Sequence, residues 1–72
     1  MNTLETLQAK IARAPFRAFV IEFQSGSSLF IDEETEVLFP RKRPELVIVF
    51  TSPNGLQHEF EVGAITRITE AT

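Results

Sequence analysis

Leu46-Val47-Ile48-Val49-Phe50 is the stretch on which the fold turns. A continuous apolar run with β-branched residues at its centre suits a short strand buried on both faces. It predicts the central strand, with one face on the core and the other under the N-terminal helix or a neighbouring subunit. Working outward toward the C-terminus, Pro53-Asn54-Gly55 is the clearest turn signal in the chain. Leu56, His58, Phe60 and Val62 then alternate with Gln57, Glu59 and Glu61, the pattern of a half-exposed strand. Gly63 interrupts, and Ile65 and Ile68 bracket a last short strand.

Outward in the other direction, Arg41-Lys42-Arg43 stands between Pro40 and Pro44, which marks an exposed loop. Val37-Leu38-Phe39-Pro40 is a brief apolar run, and residues 32–36 hold four carboxylates in five positions, a solvated strand-ending loop. Leu29 and Ile31 alternate in a short strand, joined through a two-residue turn at Ser25-Gly26 to a strand built on Phe19, Ile21 and Phe23. Before Pro15 the period changes: Leu4, Leu7, Ile11 and Ala14 recur at helical spacing. Asn2 and Glu5 form a capping box at the helix start. Pro15 stops the helix, because the residue before a proline is pushed out of the α region.

The expectation is one α+β, mainly β domain over residues 1–72. It has a helix at residues 3–13 and strands at 17–24, 28–32, 46–51, 57–62 and 65–69. Antiparallel strands this short and this numerous close most economically into a strongly bent five-stranded β-barrel, with the leading helix over one open end.

Composition limits what such a domain does. With 72 residues the core is small, and small domains make up the shortfall with disulfides, a metal or association. There is no cysteine and one histidine, His58, so disulfides, thiolate sites and imidazole zinc sites are out. That leaves a homo-oligomer as the expected device, a ring being one arrangement. Leu4, Leu7 and Ile11 of the helix and Phe60, Val62 and Ile65 at the edges of the last two strands are the expected contacts. The balance of 7 Lys+Arg against 10 Asp+Glu gives a net charge of −3, opposite to the positive excess of proteins that grip nucleic acid non-specifically. No apolar run approaches a membrane span and residues 1–14 do not read as a signal peptide. The expected compartment is the cytoplasm.

The order of elements resembles the Sm-like (LSm and Hfq-like) family, a leading helix before five bent strands. Phe19-Val20-Ile21-Glu22-Phe23-Gln24-Ser25-Gly26 looks like its first strand and hairpin, residues 46–50 like its third strand, and Val62-Gly63-Ala64-Ile65-Thr66 like the junction before its last strand. The resemblance implies an Sm-like or SH3-like small barrel and a ring. It does not carry over the RNA-reading residues. Ile31 stands near where the family has a second glycine, its Asp…Met-Asn element is missing, Val62 replaces the Arg before the last-loop glycine, and Glu61-Val62-Gly63 stands where the bacterial members have Tyr-Lys-His. Pro15-Phe16-Arg17-Ala18-Phe19 also looks like a segment of a group of small uncharacterised bacterial proteins, a likeness that supplies no function.

Arg41, Lys42 and Arg43 are the candidate nucleic-acid contacts, set against the plainer reading of a solvated loop or a partner for the carboxylates of residues 32–36. No aromatic residue interleaves them, which weakens stacking on single strands. His58 reads as a partly buried, hydrogen-bonded histidine; a base needs a nucleophile beside it, and Thr51 and Ser52 belong to no recognisable motif. Asp32, Glu33, Glu34 and Glu36 lack the spacing and central glycine of a calcium loop. Ser25-Gly26-Ser27-Ser28 lacks the Gly-Lys-Ser/Thr of a phosphate loop. No catalytic residue, cofactor or metal is expected. The sequence reading is a non-enzymatic oligomerising interaction module, with RNA binding through residues 41–43 as the alternative.

Overall fold

Thr3–Ala12 forms the helix α1 in a computed structural model that describes residues 3–51 and 55–71. Glu5 lies in its first turn and Lys10 in its last, both favourable to the helix dipole. The capping residue expected at Asn2 lies outside the described residues. Six strands follow: β1 (Phe19–Phe23), β2 (Ser28–Ile31), β3 (Glu36–Leu38), β4 (Leu46–Thr51), β5 (Leu56–Glu61) and β6 (Ile65–Glu70), with one 3-10 turn, Val62–Ala64, between the last two.

The expected five-stranded barrel is overturned. The strands form two antiparallel sheets of three, in the orders β2-β1-β6 and β3-β4-β5, and neither closes. Two local facts account for the difference. Residues 36–38, read from sequence as an apolar run, pair with β4 through Glu36↔Phe50, Val37↔Val49 and Leu38↔Ile48, and so give the second sheet its third strand. The acidic segment before them folds on itself and separates β2 from β3. There the Asp32 carboxylate accepts from Glu34 N–H at 2.9 Å and from the Thr35 hydroxyl at 3.0 Å, while Thr35 N–H donates to Asp32 O at 3.1 Å.

The β1–β2 connection also differs from expectation. Glu22 pairs with Ser28, and Phe23 N–H donates to Ser27 O at 3.0 Å, which leaves a three-residue loop rather than two. Gly26 closes it at φ +92°, the left-handed conformation such loops require. In the β4–β5 connection Pro53 and Asn54 lie outside the described residues. Gly55 has φ +65° and donates to Thr51 O at 2.8 Å.

Both sheets turn one face to a shared core of Leu7, Phe19, Ile21, Ile31, Val47 and Val49. The alternation that produced the strands chooses these residues: Phe19 faces Ile31 and Ile21 faces Leu29, while Val47 and Val49 alternate out of β4 toward them. Phe23 and Phe60 bridge the sheets edge to face, with ring centroids 4.9 Å apart. The 3-10 turn is tied to both sheets. Gln24 donates from its backbone to Ala64 O (2.9 Å) and from its side chain to Gly63 O (3.2 Å), and Val62 N–H donates to Glu45 O (2.8 Å). Among the described residues no helix is long and apolar enough to cross a membrane.

Candidate functional site

The second sheet presents two faces of different fate. Val47 and Val49 point inward and are fully buried. Leu46, Ile48 and Phe50 alternate to the other side, where they are half-buried and belong to no part of the core cluster. The register sets Leu38, 42% exposed, directly opposite Ile48 on that outer face. Gln57, Glu59 and Glu61 of β5 line the opposite flank through Phe50↔Gln57, Ile48↔Glu59 and Leu46↔Glu61. The result is an apolar centre flanked by Gln57, Glu59 and Glu61 on the β5 side and by Glu36, opposite Phe50, on the β3 side.

The helix does not cover this face. Leu7 enters the core between the sheets, and the end of α1 is held instead by Glu70 on β6. Lys10 Nζ lies 3.4 Å from a Glu70 carboxylate oxygen, and Arg13 pairs with the same oxygen. Partial desolvation raises the Glu70 pKa, but the Lys10 hydrogen bond and the charges of Lys10, Arg13 and Arg17 outweigh it. The net effect is to hold the carboxyl below its ordinary value.

Of the six expected oligomer contacts, Leu7 has no exposed surface and is a core residue, so it presents nothing to a second copy. Leu4 is half-buried, while Ile11, Phe60, Val62 and Ile65 are half-buried and pack against the core.

Arg41, Lys42 and Arg43 are all exposed in the loop between β3 and β4. Arg43 is tied down: its Nε donates to Glu45 at 3.0 Å. A hydrogen bond from Glu45's own backbone, followed by the Arg43 hydrogen bond and charge, holds the Glu45 carboxyl below its ordinary value against partial desolvation. Among the described residues Arg41 and Lys42 make no ion pair or side-chain hydrogen bond. Among the described residues no ion pair joins these cations to residues 32–36, and the Asp32 carboxylate is engaged in its own turn.

His58 is exposed, not partly buried. It sits opposite Val49 on the inward side of β5, an edge strand of the second sheet. There it lines an open cleft of about 630 Å³ with Phe23, Leu29, Phe60, Ser25 and Ser27. The hydroxyls of Ser25 and Ser27 are engaged with each other at 2.7 Å. Thr51 donates to Leu56 O at 3.4 Å, and Ser52 lies outside the described residues. Among the described residues no group of three or more His, Cys, Asp or Glu side chains is placed to hold a metal. No family model, no curated protein and no solved structure matches this chain.

Proposed function

We propose that this chain is a non-enzymatic interaction module that self-associates through the outer face of the β3-β4-β5 sheet. One observation carries the reading: Leu38, Leu46, Ile48 and Phe50 lie together on the outer face of that sheet, and among the described residues none of them belongs to the core cluster or packs against it. A small domain gains most from covering such a surface, because apolar burial contributes roughly 25 cal/mol per Å² and its own core is limited. Sedimentation velocity across the micromolar range tests it. The wild type is expected to associate, and Ile48→Glu to sediment as a folded monomer. A wild type that remains monomeric at high micromolar concentration overturns the reading.

A second reading rests on Arg41 and Lys42, two exposed cations without a partner among the described residues. In this reading they contact RNA phosphates. Two such contacts on a single strand give a log–log salt slope of roughly −1.4. Fluorescence anisotropy with a labelled oligonucleotide measures it, and an affinity indifferent to salt or to charge reversal at these two positions removes it.

A further inference from the structure

The outer face of the second sheet carries its own charge pattern, and that pattern restricts what covers it. The basic loop enters β4 at Leu46, and Leu46 pairs with Glu61. Arg41 and Lys42 therefore sit at the same end of β4 as Glu61. They lie on opposite flanks, because the loop leaves β3 while Glu61 ends β5 and the sheet order is β3-β4-β5. Glu61 is exposed and, like Arg41 and Lys42, has no ion pair or side-chain hydrogen bond among the described residues. One end of the apolar stripe thus has unpaired cations on its left and an unpaired anion on its right.

Such a surface is complementary to itself under one rotation. Resting on the self-association proposed above, we infer that two copies stack these faces about a two-fold axis lying in the sheet plane along β4. Arg41 and Lys42 of each copy then meet Glu61 of the other. The rotation exchanges the β3 and β5 flanks and keeps the ends of β4 in place, so each basic loop arrives over the partner copy's Glu61. Ile48 meets Ile48 and Phe50 meets Phe50 along the axis. The same rotation sets Glu59 over the partner copy's Leu38 and Glu36 over its Gln57, with no like charges face to face. The other in-plane axis, across the strands, sets Glu59 on Glu59, and like charges facing across an interface oppose association. An isologous contact of this kind closes at two subunits, so the assembly is a dimer and not a ring.

The test is sedimentation equilibrium on the full chain at low and moderate salt, with circular dichroism confirming that each variant is folded. Lys42→Glu and Glu61→Lys are each expected to weaken the dimer roughly tenfold, an effect that shrinks as salt is added. The double variant Lys42→Glu/Glu61→Lys is expected to recover to within a few-fold of wild type. Glu61→Lys is the sharpest single case. It reduces the net negative charge, so overall repulsion alone would strengthen the dimer, whereas this arrangement weakens it. The arrangement is overturned if Ile48→Glu dissociates the wild-type assembly but the double variant shows no recovery, or if the species grows past two subunits; self-association stands in both cases. Charge reversal that leaves the dimer intact and removes oligonucleotide binding also overturns it and assigns the loop to RNA. A wild type that is monomeric throughout removes the self-association and the arrangement together.

Discussion

On the outer face of β2-β1-β6, Val20 sits between Phe30 and Thr69, while Glu22 sits between Ser28 and Arg67 and pairs with that arginine at 3.6 Å. On the outer face of β3-β4-β5, Ile48 sits between Leu38 and Glu59, with Leu46 and Phe50 before and after it on the same strand. The two sheets have the same number of strands and give the core the same kind of face. They differ in what their central strands send outward. β1 alternates apolar with mixed residues, as expected of a sheet with one solvated face. β4 is apolar in both directions, although the fold covers one of them. Apolar residues that the core does not use are the part of this sequence least explained by folding alone.

That contrast can be broken at its strongest point first. Phe19 points inward from β1 and is fully buried, while Phe30 points outward from β2 and is 51% exposed. Phe19→Ala is expected to cost about 3–5 kcal/mol, a large part of the stability of a domain this size. Phe30→Ala is expected to stay within about 0.5 kcal/mol. Urea denaturation of the two variants measures the difference. Across the two sheets, Ile48→Glu is expected to weaken self-association by roughly thirtyfold or more while moving the folding free energy by less than about 1 kcal/mol. If it unfolds the chain instead, the outer face of β4 is structural and the contrast between the sheets is lost.

Smaller effects sharpen the comparison. Gly26 shapes the hairpin of the first sheet at φ +92°, and a Cβ there meets nothing within 4 Å. Gly26→Ala is therefore expected to cost about 1–2 kcal/mol through backbone conformation alone. Gly63→Ala, where φ is not positive and the space is also open, makes the control. The smallest effect belongs to Glu70. Its carboxyl is held below its ordinary value, so its contribution is present above the unfolded-state pKa of about 4.3 and fades as pH falls through the lower folded value. Glu70→Gln is expected to lower the melting temperature at neutral pH. The gap from wild type should narrow on acidification below the ordinary carboxylate range, and a gap constant with pH would show that Lys10 and Arg13 do not act through this charge.

Much of the local structure was legible because it follows from period and punctuation. Leucine spacing ahead of Pro15 brackets the region where α1 forms, and alternation through Phe19, Ile21 and Phe23 marks the inward residues of β1. β3 was not legible. Its three residues, Glu36-Val37-Leu38, are too few to display a period, and their strand character comes from pairing with β4. Closure was not legible either, because alternation says which way side chains point and not which strands become neighbours. The continuous run at residues 46–50 did announce two apolar faces. What it could not announce was that the helix would go elsewhere, drawn to the core by Leu7 and to β6 by Glu70. His58 shows the converse error: its alternation with Leu56 and Phe60 suggested burial, but the side chain is exposed on an edge strand and lines an open cleft.

β1 is the middle strand of the first sheet, and one of its two neighbours is the last strand of the fold. Thr66 and Glu22, which meet where these strands bulge, lie 44 positions apart in the chain. During synthesis β1 therefore emerges early but waits for β6 with one edge open, while the second sheet assembles from consecutive hairpins. Contacts between distant segments slow folding because the intervening loop must be closed first. The β3-β4-β5 sheet, the one with the apolar outer face, is accordingly expected to form ahead of the sheet that completes its cover. Nascent chains would then show β4 to solvent, and to one another, before the core behind it is sealed.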